Sequence, residues 1–195
     1  RYIRRQRQMC IRDSLQSVAG RTAWDQETMM PINSGMSRAM EMGALEEVIH
    51  ERKKGSEIRE LLETATPKSS HEKRLHELIK RDFDRATVIP NQLASDLAKT
   101  TSLAQMAWQK ARQNNNFSEF SPHLKKVIDL KRKEASLLSP IGDLYDGLIN
   151  DYEYGMTKKE ASSIFAVMKP RLLDLRQRIS AVSYTHLTLP TNVAV

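Results

Sequence analysis

Cysteine is all but missing. Cys10 is the only one in 195 residues, which rules out an internal disulfide and with it the small, stapled, secreted folds. Long apolar runs are missing too. No stretch reaches the roughly 18 residues a membrane-spanning helix needs, and no charged start leads into an apolar segment as in a secretory signal. A cytoplasmic protein that spans no membrane is expected. Sustained two-residue alternation is absent between residues 15 and 182, and no internal repeat of fixed period occurs, so neither a sheet protein nor a solenoid is supported. Apolar residues make up 39% and charged residues 28%. That balance fits helices with long charged outer faces rather than a disordered chain.

Acidic residues are absent from the first twelve positions, where Arg1, Arg4, Arg5, Arg7 and Arg12 supply much of the formal charge of +7. From residue 13 onward the balance is only +2. A basic arm binds phosphate through counterion release, but the rest of the chain interleaves both signs as a solvated helix face does. No nucleic-acid partner is expected. Residues 1–14 and 183–195 resemble translated sequencing-adaptor read-through, and both are set aside as non-native extensions of a native segment, 15–182. Cys10 falls in the first of them.

What is present between these ends is helical periodicity. Met36, Met40, Gly43, Ala44, Val48 and Ile49 recur at three- and four-residue steps and predict an amphipathic helix. A second helix starts at Ser69 or Ser70, carries Leu75, Leu78, Ile79 and Phe83 on one face, and stops before Pro90. Asn91 opens a third, with Leu93, Leu97, Ala104, Trp108 and Ala111 inward and a break at residues 114–116. A fourth runs from about Pro122, with Leu124, Val127, Ile128, Leu130, Ala135 and Leu138, to Pro140 and Gly142. A short apolar turn, Leu144 to Ile149, follows. Thr157 and Glu160 form a capping-box signature for a last helix, whose stripe is Ile164, Phe165, Met168, Leu172, Leu175 and Ile179 and which Pro170 should kink. The expected fold is all-α, with antiparallel helices joined by short loops.

Catalytic spacings are mostly negative. A zincin helix needs His-Glu-x-x-His, because residues four apart share one face and can ligate one metal ion. His50-Glu51 lacks the second histidine. His71-Glu72 has it one residue late, at His76, which turns the two imidazoles about 140° apart. These histidines are read as ordinary helix-surface residues. No G-x-S-x-G, P-loop or G-x-G-x-x-G is present. Asp143 with Asp146, or Asp151 with Glu153, are either an acid/base pair or helix-capping acids, and capping is favoured. Trp24 and Trp108 either stack on a ligand or pack in the core, and packing is favoured.

Specific strings add more. Trp24 to Pro31, WDQETMMP, resembles the W-D-x-x-T-x-M-P element near the start of the carboxypeptidase Taq family of metallocarboxypeptidases. Leu45 to Glu51, LEEVIHE, resembles the family's following helix. Arg81 to Pro90, RDFDRATVIP, is similar to its R-D-x-D-x-A-x-x-x-P stretch, and Trp108 to Leu124 to its W-x-x-A-R-x-x-x-x-F-x-x-F-x-P-x-L block. Tyr145-Asp146 with Asp151 to Thr157 resembles its Y-D…D-x-E-x-G-M-T block. These five blocks come in family order.

The resemblance implies a mostly helical cytoplasmic carboxypeptidase that releases C-terminal amino acids from peptides, uses Zn²⁺ or another divalent metal, and forms a homodimer. In that mechanism a Glu polarises metal-bound water and the metal stabilises the oxyanion. It also implies that this chain is the front portion, about a third, with the His-Glu-x-x-His site beyond it. No catalytic, cofactor-binding or metal residue is therefore assigned here. In the Trp24 to Pro31 element, Trp24 is expected to pack, Asp25 or Thr28 to cap, and Pro31 to start the next segment. The competing function is a non-enzymatic helical interaction module.

Overall fold

The computed structural model describes residues 2–181, with side chains from Cys10 onward; the expectations for residues 183–195 lie outside the described residues. Helices account for the regular structure, with no strand among the described residues. The order is α1 (Tyr2–Thr28), a 3₁₀ turn (Ile32–Ser34), α2 (Gly35–Lys53), α3 (Ser56–Thr64), α4 (Ser70–Val88), α5 (Asn91–Gln113), α6 (Phe117–Leu138), α7 (Leu144–Ile149) and α8 (Lys158–Ala181). The chain forms two compact units that divide between Leu144 and Tyr145.

In the first unit α2 packs on α5 and α5 on α6, while α1 touches α2 and α4 touches α2, α3 and α6. The α2–α5 contact corrects part of the expected face of α2, in which Gly43 and Ile49 are buried as expected. Met36, Met40, Ala44 and Val48 are exposed, and the buried residues are Gly35, Ala39, Gly43, Ile49 and His50. Gly35, Ala39 and Gly43, four residues apart, form a ridge so low that the α5 backbone comes close. Met106 fills the space over Gly35, and Ser95 Oγ donates to the Gly43 carbonyl at 2.9 Å. A Cβ on Gly43 would stand 3.2 Å from Ser95 Oγ.

The expected bounds of α4 and α5 are met, including the break at 114–116, where Asn115 takes φ +50°. Asparagine tolerates this left-handed conformation better than most residues. Helix α6 starts five residues before Pro122, at Phe117. Pro122 is the sixth residue of α6, past the free N–H groups of the first turn, so it removes one ladder bond, that to the Ser118 carbonyl. Helix α3 is not anticipated by periodicity; Ile58, Leu61 and Leu62 are its half-buried residues. Helix α1 includes most of the segment set aside as foreign, and its arginines are good helix formers. In the second unit, α7 is tied to α8 by Asp146, whose Oδ1 accepts from the first N–H of α8, Lys158 N, at 2.7 Å. Helix α8 continues through Pro170 as one element.

The capping box that the sequence predicts at α8 forms, and the structure adds a second at the start of α4. Ser69 Oγ accepts from Glu72 N at 3.1 Å, while Glu72 Oε2 accepts from Lys68 N at 2.7 Å and Ser69 N at 3.1 Å. At α8, Glu160 Oε2 accepts from Thr157 N at 2.9 Å and Thr157 Oγ1 from Glu160 N at 3.2 Å. The N–H donors of Lys68 and then Ser69 hold Glu72 below the usual glutamate range, and the N–H and then the hydroxyl of Thr157 do the same for Glu160. A lowered folded-state pKa adds stability that is complete above the ordinary glutamate range and is lost as pH falls through the lowered value. The first turn of α4 should therefore open on acidification, and Glu72→Gln should remove that dependence. Amide exchange at Ser69 and Glu72, followed from neutral pH downward, checks this.

Candidate functional site

The Trp24 to Pro31 element closes α1 and leads into α2. The Asp25 carbonyl accepts from Met29 N at 3.0 Å and Met30 N at 2.9 Å, and Thr28 Oγ1 donates back to the Trp24 carbonyl at 2.8 Å. The Asp25 carboxylate takes the Arg38 guanidinium from α2 at 2.5 Å. Arg38 also donates to the Thr22 carbonyl at 2.6 Å and to Glu41 at 3.1 Å. Its bond to Asp25 holds the guanidinium pKa above its ordinary value. Gln26 exchanges two bonds with α5: its side-chain amide donates to the Ser102 carbonyl at 3.3 Å, and Ser102 Oγ donates to Gln26 Oε1 at 2.7 Å.

The element is thus a polar clamp that fixes the end of α1 against α2 and α5. Three expectations change. Trp24 does not pack but stands 63% exposed, because Asp25 and Gln26 take the inward positions. Asp25 and Thr28 cap no helix start: Asp25 pairs across to Arg38, and Thr28 bonds back along its own helix. Pro31 does precede the next segment, the 3₁₀ turn. Trp108, expected inward on α5, is also exposed, at 47%, since the small Ala104 and Ala111 form the buried line there.

The histidines are not a ligand set. His71 is exposed as expected. His50 is not a surface residue but 4% exposed, with Nε2 2.7 Å from the Ile89 carbonyl, its acceptor. His76 Nε2 lies 3.0 Å from the Leu62 carbonyl. Of the weighed carboxylates, Asp146 serves the α8 start as described. A buried acid escapes the sequence reading: Glu134 of α6, 4% exposed, accepts from Arg85 of α4 at 2.8 Å and from Lys131 at 2.7 Å. Its signal is a carboxylate standing at four-residue steps between Leu130 and Leu138 on an apolar face. Among the described residues no three His, Cys, Asp or Glu side chains are grouped to hold a metal ion. None of the helices there is long and apolar enough to cross a membrane.

Comparison with known proteins carries the order of motifs further. Residues 6–193 match the family model described as Carboxypeptidase Taq (M32) metallopeptidase. The chain belongs to this family. Thermostable carboxypeptidase 1 of Thermus thermophilus is 34% identical over 181 residues, covering 85% of this chain and 35% of its own length. Thermostable carboxypeptidase 1 of Pyrococcus furiosus is 30% identical over 167 residues, covering 84% of this chain and 33% of its own. The crystal structure of BsuCP superposes with a TM-score of 0.77 at 25% identity, over 87% of this chain and 35% of that one. The chain spans about a third of the length of the curated relatives it matches, at their N-terminal portion. The metal that defines a metallopeptidase does not fit the described residues, which offer no donor set for it.

Proposed function

We propose that the chain is the N-terminal helical portion of a zinc-type carboxypeptidase that releases C-terminal amino acids from peptides. The observation that carries this is the match along nearly the whole chain to relatives about three times as long. In this reading the His-Glu-x-x-His site, its Zn²⁺ or other divalent metal, and the groups that hold the substrate carboxylate lie outside the chain described here. The complete enzyme is a cytoplasmic homodimer with peptide as its substrate and no nucleic-acid or membrane partner. Residues 1–14 and 183–195 are extensions of the native segment, although the family match itself reaches residues 6 and 193. The part played by the present residues is to build and brace this helical portion. The Arg38 clamp sets α2 against α1, and the low ridge sets α2 against α5.

The test compares two proteins. The purified 195-residue chain should release no amino acid from a peptide C-terminus and bind no stoichiometric Zn²⁺. The protein encoded by the continued genomic reading frame should contain His-Glu-x-x-His and release C-terminal residues, with activity lost to a chelator. Chelator-sensitive release by the short chain overturns the reading that its metal site lies elsewhere, and a continued frame without the motif overturns it in favour of the interaction module.

A further inference from the structure

Six apolar residues of α8 follow a stricter rule than a general amphipathic stripe, while Ile164, Val167 and Leu173 lie off it. Ala161, Phe165, Met168, Leu172, Leu175 and Ile179 lie at alternating steps of four and three, the spacing of a seam between supercoiled helices. From Phe165 onward this seam is uncovered, with Phe165 62% and Leu172 53% exposed. Most of the stability of a helix within a protein comes from packing its apolar face on a neighbour.

The positions bordering the seam identify what it accepts. In the second half of α8 these are Lys169, Arg171, Arg176 and Arg178, all basic and all exposed. Among the described residues none of the four is in an ion pair, and the neighbouring acid, Asp174, lies on the outer side of the helix, away from the seam. Pro170 takes the position farthest from the seam, so its missing N–H and ring leave the apolar line uninterrupted. Border charges of this kind choose partners in helix pairing. Two copies of α8 would set four cations against four cations, which disfavours self-pairing.

We propose that α8 docks an amphipathic helix whose apolar seam is bordered by Asp or Glu, supplied by the part of the peptidase beyond the third that this chain spans. The chemistry of the partner follows from the seam and its borders; its source rests on the functional reading above.

Two measurements separate these. The 195-residue chain is titrated with two synthetic helices that share a Leu/Ile seam and carry either Glu or Lys at the borders. The Glu helix should bind at least about tenfold more tightly, with the preference shrinking at high salt as screening shortens the range of the charges. Combined K169E, R171E, R176E and R178E substitutions should reverse it, with helicity followed by circular dichroism. Equal affinity for both helices, a preference indifferent to salt, or a dimer joined through α8 that neither peptide displaces overturns the docking chemistry.

For the source, the protein from the continued reading frame is treated with a carbodiimide, which joins an amine directly to a carboxylate. A cross-link from Lys169 to an acidic residue that follows position 182 in the continued frame supports an internal partner, and its absence in the folded protein overturns it. A protein that cross-links in this way but hydrolyses no peptide overturns the functional reading and leaves the docking intact.

Discussion

Replacing Glu134 with alanine is expected to destabilise the first unit by about 3 kcal/mol, the lower end of the cost of breaking a buried ion pair from one side. The carboxylate is almost wholly enclosed, while the Arg85 side chain is 29% and the Lys131 side chain 46% exposed. Lys131 can swing into water when the acid is gone. Arg85 is more confined, and it loses its charge partner in the contact between α4 and α6. That difference in freedom sets the cost at the lower end. Glu134→Leu restores the apolar line between Leu130 and Leu138 yet should remain destabilising, because Arg85 stays behind. The double variant Arg85→Leu with Glu134→Leu should come back to within about 1 kcal/mol of the parent, as buried pairs replaced by apolar residues often do. Urea midpoints at constant slope measure all three. A double variant as unstable as E134A would mean that the pair adds stability in its own right.

Ile49→Ala should cost about 3 kcal/mol through lost burial and the cavity left behind, and Ile49→Val about 1 kcal/mol. Ile49 is the one large side chain among the described residues that is completely enclosed. Val48, its neighbour in sequence, is exposed, and Val48→Ala should change stability by less than about 0.5 kcal/mol. The contrast between adjacent positions checks the orientation of α2 directly. Similar losses at 48 and 49 would restore the face that apolar periodicity assigns.

What was legible in the sequence is what chemistry settles within a few residues. Ser69 marks one helix start, although its box with Glu72 appeared only in the structure, and Thr157 with Glu160 declares another because both partners lie within one turn. The break at 114–116 is legible for the same reason. The facing of α2 is not, since periodicity weighs side chains by size, and a close helix contact selects the smallest ones. Met36 and Met40 thus looked like the core, while Gly35 and Ala39 occupy it. His50 and Glu134 were illegible because their partners come from far along the chain, 39 and 49 residues away. Helix α3 is too short for its period to stand out from the turn residues on either side. The family itself was legible through strings such as Trp24 to Pro31, whose physical role as a clamp with an outward-facing tryptophan appeared only in the structure.

The ridge of Gly35, Ala39 and Gly43 has a further consequence, for register. A track of small residues repeating every four positions looks nearly the same after a slide of one turn, about 5 to 6 Å. Apolar burial alone would barely distinguish one alignment of α2 on α5 from the next. Two dissimilar pins remove the degeneracy: the Ser95 hydroxyl bonded to the Gly43 carbonyl near one end, and the Met106 side chain seated over Gly35 near the other. A slide in either direction breaks the hydrogen bond and drives the methionine off its glycine. The pair of helices is therefore located along its length by two contacts that a purely hydrophobic count would rank among the least important.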